Sequence, residues 1–202
     1  MSLFTWQGRG RTLLLLTAVM AMLVGTATAQ QNGMLTDSRD GQKYKTVKIG
    51  KQTWMAQNLN HQTGNSWCYN GENQYCPKYG RLYDWKTAKT ACPKGWHLPT
   101  REEWTELVTV VGLGTAGKKL KSTSEWAENG NGTDNYSFSA LPGGTRGTDG
   151  SFIYVGKYGG WWTASEYGSG NAYFRDMVDD ADDVGAGYVG KGGVKSVRCL
   201  QD

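Results

Sequence analysis

The four cysteines, Cys68, Cys76, Cys92 and Cys199, constrain this chain more than any other feature, and their meaning depends on the compartment. The first 29 residues address the compartment. Arg9 and Arg11 form a short basic region, Leu13 to Val24 is apolar, and Ala27-Thr28-Ala29 puts small residues at both specificity positions of a signal-peptidase site. We expect a signal peptide over residues 1–29, cleaved after Ala29, and a mature protein that is periplasmic, cell-surface or extracellular. The apolar run is shorter than the roughly 20 residues a spanning helix requires, so no membrane span is expected after cleavage. No Cys follows the run, which excludes lipid attachment at that site.

Outside the cytoplasm four cysteines favour two disulfides over a metal centre. There is no CxxC pair, and His61 and His97, the two histidines, lack a helical partner four residues away. Three connectivities are open. The most parsimonious joins Cys68 to Cys76 around Asn70-Gly71, read as a short hairpin, and Cys92 to Cys199. The second bridge would close a loop of about 100 residues, worth about 4 to 5 kcal/mol in the loop-entropy model.

The 29 glycines and 4 prolines favour turn-rich β structure over a helical bundle. Removing residues 1–29 leaves 20 basic against 18 acidic side chains, too balanced for the basic stripe that nucleic-acid binding requires. Residues 30–39 are polar and read as a loose lead-in, and residues 40–202 as one domain with no internal repeat or linker. Lys43 to Ile49, then Gly50-Lys51, then Gln52 to Ala56 read as a hairpin. Asp84 is a candidate N-cap for a helix carrying Trp85, Ala88 and Cys92 on one face. Thr100-Arg101-Glu102-Glu103 is a capping box, followed by Trp104, Leu107, Val108 and Val111 at helical spacing until Gly112. After Gly114 the pattern is short strands and loops: Tyr136, Phe138 and Ala140 alternate, Phe152–Val155 and Trp161–Ala164 follow, and Ala172–Val178 and Val194–Leu200 close the chain.

Five segments carry a resemblance. They are residues 40–47 (Asp-Gly-Gln-Lys-Tyr-Lys-Thr-Val), 52–59 (Gln-Thr-Trp-Met-Ala-Gln-Asn-Leu), 92–100 (Cys-Pro-Lys-Gly-Trp-His-Leu-Pro-Thr), 138–144 (Phe-Ser-Ala-Leu-Pro-Gly-Gly) and 196–200 (Ser-Val-Arg-Cys-Leu). In this order they resemble the Fibrobacter succinogenes major paralogous domain over nearly all of residues 37–202. The resemblance implies an α+β fold of the C-type lectin-like kind, in the branch shared with formylglycine-generating enzymes. It also implies two helices in the first half, short antiparallel strands and long loops after them, and the Cys92–Cys199 bridge. It supplies no activity. The Glu-Pro-Asn or Gln-Pro-Asp loop and the Trp-Asn-Asp strand of calcium-dependent lectins are absent, as is a second cysteine near Cys199 for oxidative chemistry.

Candidate sites follow from the residues left over. Asp179, Asp180, Asp182 and Asp183, with Asp176, offer oxygens for calcium but lack EF-hand spacing and read first as a solvated loop. Gly112-Leu113-Gly114-Thr115-Ala116-Gly117 matches a dinucleotide-binding string but follows a helix, which excludes that reading. Glu103 is used by the capping box, and no catalytic residue is assigned. Trp161 and Trp162 are adjacent, so a regular strand would turn one of them outward. With Trp126, Tyr136, Tyr154, Tyr158 and Tyr167 it would form an aromatic platform for a sugar ring or protein partner. The expected function is an exported, non-catalytic binding or surface-interaction module for a glycan or protein, without a cofactor. The alternatives are a secreted hydrolase or oxidase sited in the Gly-rich half, and a structural envelope protein.

Overall fold

The structure, a computed structural model, describes residues 31–202, so the expected signal peptide lies outside the described residues. In chain order the elements begin with β1 (Asn32–Thr36), β2 (Lys43–Ile49), β3 (Gln52–Met55), β4 (Ser66–Trp67), α1 (Cys76–Tyr79), β5 (Leu82–Asp84), α2 (Trp85–Ala91), β6 (Trp96–His97) and α3 (Arg101–Val111). They continue with α4 (Ala116–Leu120), β7 (Thr145–Arg146), β8 (Phe152–Ile153), β9 (Tyr158–Tyr167), β10 (Asn171–Val178), β11 (Gly185–Gly190), β12 (Val194–Ser196) and β13 (Leu200–Gln201). One sheet has the order β1-β2-β3-β13-β6. The other runs β11-β10-β9-β12-β5-β4, with β7 joined to β12 and β8.

The turn chemistry explains the local elements. Gly50, at a left-handed φ of 61°, makes the two-residue turn that sets Ile49 opposite Gln52 in the β2–β3 hairpin. The Asp84 carboxylate accepts the Thr87 N–H at 2.7 Å to start α2. At α3 the Thr100 hydroxyl accepts the Glu103 N–H while the Glu103 carboxylate accepts the Thr100 N–H. The helix then buries Trp104, Leu107, Val108 and Val111.

Two sheets, not a helix-and-loop framework, organise the molecule, and the expected α+β class of C-type lectin-like kind is corrected on that ground. Both expected helices exist, but the longer has 11 residues and lies on sheet. The second half is not made only of short antiparallel strands. β9 and β10 have 10 and 8 residues, and β12 pairs with β9 in parallel through Ser196 and Trp161. The polar lead-in contains β1, which pairs with β2 over five residues. Tyr136 to Ala140 is a loop with a single bridge from Ala140 to Lys121, and Asn70-Gly71 lies in a helical turn instead of a hairpin.

The largest correction concerns Trp161 and Trp162, which are both fully buried. Alternation is obeyed, but β9 has core on both faces. Trp161 joins one core with Trp54, Trp104, Leu107 and Phe138. Trp162 joins the other with Met55, Tyr83, Trp85 and Val197. Each indole N–H has a buried acceptor, Asn58 Oδ1 for Trp161 and the Tyr83 carbonyl for Trp162, both at 2.8 Å.

Arg198 ties the two sheets and the long loop together. It is fully buried. Its Nε and Nη2 donate to Asn58 Oδ1 at 3.2 and 2.9 Å, its Nη2 to the Ser139 carbonyl at 3.2 Å, and its Nη1 to the Phe138 carbonyl. The guanidinium carbon lies 4.3 Å from the Phe138 ring centre. Both expected disulfides are present, Cys68–Cys76 and Cys92–Cys199, and no described cysteine is free.

Candidate functional site

The platform expected from sequence does not assemble as proposed. Trp126, Trp161 and Trp162 are buried, and Trp126 donates its indole N–H to the Ala140 carbonyl at 3.0 Å. Tyr136 packs on the first core. Tyr158 folds over Gly160 and accepts a hydrogen bond from buried Lys195 at 3.1 Å. Tyr154 is 60% exposed, on a turn of its own at φ 67°. Tyr167 alone of the seven belongs to an exposed aromatic cluster, and its companions are Tyr173 and Tyr188.

That cluster is a product of strand register. Tyr173 on β10 lies directly opposite Tyr188 on β11, and Tyr167 ends β9 beside them. The Tyr167 and Tyr188 rings stack with centroids 3.7 Å apart at 19°, and Tyr173 stands edge-on to both. Tyr167 is 42% exposed and Tyr188 53%. The Arg101 guanidinium, at the start of α3, sits 4.8 Å over the Tyr173 ring, and the Arg101 N–H donates to Ser165 Oγ at 3.0 Å. Behind it Arg175 is buried and donates through Nη2 to Thr105 Oγ1 at 2.6 Å and to the Arg101 carbonyl at 3.3 Å. Hydrogen bonding to Tyr188 raises the Tyr167 pKa. The surface therefore offers large apolar rings beside a cation, the residue types that dominate recognition surfaces. Tyr173 falls in an expected strand, Ala172–Val178, whereas the strand that carries Tyr188 was not read from the sequence. Also missing was the register that brings both to Tyr167.

A concave feature of about 600 Å³ lies elsewhere, between β1 and β2 and the loop 134–139. Asp134, Ser137 and Ser139 line it and adopt left-handed φ of 45°, 49° and 52°. Asp134 accepts from the Ser139 N–H and hydroxyl at 2.8 and 2.6 Å, and Arg198 holds the loop from beneath.

The four aspartates at 179, 180, 182 and 183 do share the β10–β11 loop, but a lysine fills its interior. Lys121 Nζ donates to the Val178 and Ala181 carbonyls at 2.9 Å each. Calcium would have to compete with an ammonium for those two carbonyl oxygens. Asp37, Asp40 and His61 bring three ligand-type atoms within 4.8 Å. Arg39 already grips Asp37 through Nε and Nη2 at 2.9 and 2.7 Å, and His61 Nδ1 bonds Asp40 at 2.7 Å. The group is an ion-pair network that holds the β1–β2 turn, and the Arg39 bond keeps the Asp37 carboxyl below its usual range.

Four of the five segments that carry the resemblance meet at the Arg198 lock and the Cys92–Cys199 bridge, through Asn58, Cys92, Phe138 with Ser139, and Arg198 with Cys199. A family model of the Fibrobacter succinogenes major domain matches residues 47–201. The chain belongs to that family. Within this Fibrobacter succinogenes major domain the match contains both disulfides, the Arg198 lock and all three clustered tyrosines. No curated protein and no solved structure matches the chain.

Proposed function

We propose that this protein is an exported, non-catalytic binding module that holds a glycan or protein ligand on the Tyr167–Tyr173–Tyr188 face. The single observation carrying the reading is the exposed, ordered tyrosine cluster with Arg101 at its edge. Rigid rings lose little entropy on contact and stack on sugar faces or partner side chains. Export is supported by the two disulfides, which persist in oxidising compartments. No helix among the described residues is long and apolar enough to cross a membrane. Cys199 lies in a bridge, so thiol chemistry, the feature that would have favoured an oxidase, has no group to carry it.

The test is a screen of the oxidised protein against a glycan array and a panel of envelope proteins, repeated with Tyr188→Ala. Saturable binding to a defined ligand, weakened about tenfold or more in the variant, supports the reading. Binding unchanged by Tyr188→Ala would move the site elsewhere on the molecule.

A further inference from the structure

The sheet edge beside the tyrosines has an arrangement that the binding reading does not use. β11 is the terminal strand of the larger sheet, pairing with β10 in unbroken register, and no second strand covers its outer side among the described residues. Exposed edges are ordinarily protected by charge, proline, a bulge or shortness. β11 has none of these: Gly-Ala-Gly-Tyr-Val-Gly is six residues long and uncharged, with Ala186, Tyr188 and Val189 exposed.

The sequence around this strand is complementary to its own reverse. In an antiparallel pairing centred on Gly187, Asp183 faces Lys191, Val184 faces Gly190, Gly185 faces Val189, Ala186 faces Tyr188, and Gly187 faces itself. Each large side chain meets a small one and each acid meets a base, as a self-complementary twofold interface requires. Lys191 already bonds Glu166 at 2.9 Å and the Ser169 carbonyl at 2.8 Å, so Asp183 of a second copy adds charge attraction without needing a new donor.

We infer that β11 pairs with β11 of a second copy of this chain, making one continuous sheet across a twofold axis through Gly187. Because paired residues share a face, the pairing sets the two tyrosine clusters on the same side of the joined sheet. The dimer thereby becomes a bivalent surface, whose avidity exceeds the affinity of either cluster.

Sedimentation velocity of the oxidised protein across a concentration series tests this, with amide hydrogen exchange of residues 185–190 measured over the same series. A monomer–dimer equilibrium, with β11 protection rising as dimer forms, is expected. Val189→Lys places two like-charged side chains at the joint and should weaken association by about tenfold or more. Val189 is outside all three hydrophobic clusters, so at concentrations where both proteins are monomeric the variant's melting temperature should match the parent's. Asp183→Lys should weaken association less, by an amount that shrinks with added salt. A protein that stays monomeric up to about 1 mM, a weakness beyond ordinary association, overturns the inference. So does a dimer indifferent to Val189→Lys, or a monomer whose β11 edge instead takes up an extended peptide.

Discussion

Arginine meets aromatic rings in two places in this protein, and the two are opposites. Arg198 lies against Phe138 and Trp161 with its donors spent on Asn58, Phe138 and Ser139, and neither it nor those rings reach solvent. Arg101 lies against Tyr173 at nearly the same distance, but the adjoining Tyr167 and Tyr188 rings are open to solvent. The same chemistry serves a lock where every polar atom has an internal partner, and an exposed face, proposed as a docking surface, where ring faces are left over. Closure of the hydrogen-bond set around Arg198, more than residue type, separates this lock from the exposed tyrosine face.

The largest expected effect is at the lock. Arg198→Met leaves the buried Phe138 and Ser139 carbonyls without their donor and Asn58 Oδ1 with Trp161 alone, and should cost about 3 to 5 kcal/mol in denaturant unfolding. Breaking the Cys92–Cys199 bridge by paired serine substitution should cost about 2 to 5 kcal/mol, since it joins residues 107 positions apart. Lys195 sharpens the contrast, because it is a buried cation without a full set of partners. Its Nζ bonds Tyr158 and lies 4.1 Å from the Phe174 ring, and burial pushes its pKa down to about 8 against the pull of Asp176. A lysine depressed in the folded state opposes folding while charged, so stability should rise between about pH 8 and the unfolded value near 10.5. Lys195→Met should abolish that rise and leave stability at pH 7 equal or about 1 kcal/mol higher, the reverse of Arg198→Met.

The smallest effect is at the C-terminal clasp. His97 Nδ1 bonds Asp202 at 2.7 Å and Nε2 bonds Glu103 at 2.9 Å. Burial disfavours its charged form, but these two carboxylates outweigh it and raise the pKa above 6.5. The clasp is therefore complete below that value and fades as pH rises through the raised pKa. Because the pair with Asp202 is exposed, the gain is below about 0.5 kcal/mol, and His97→Gln should flatten the corresponding slope in thermal melts.

Much of the frame was readable because its causes are local. Asp84, the Thr100–Glu103 box, the Gly50-Lys51 turn and the cysteine pairing each act within a few residues or through a covalent bond. Strand content was underestimated because β9 is buried on both sides and so lacks the alternation that marks a half-exposed strand. That misreading also placed one of Trp161 and Trp162 outside. The site was only partly legible. Tyr167 was identified, while Tyr173 and Tyr188 join it through a register between three strands that no local pattern encodes. Arg198 was seen as part of a motif, but its role depends on Asn58, 140 residues away.

The most direct test of a closed lock and an open face is to measure unfolding free energy and ligand binding together on Tyr188→Ala. The expected result is stability within about 0.5 kcal/mol of the parent, as for a surface substitution, with binding to the screened ligand lost or sharply weakened. A variant that binds as the parent does, or one that loses stability on the scale of Arg198→Met, would contradict the division between frame and site.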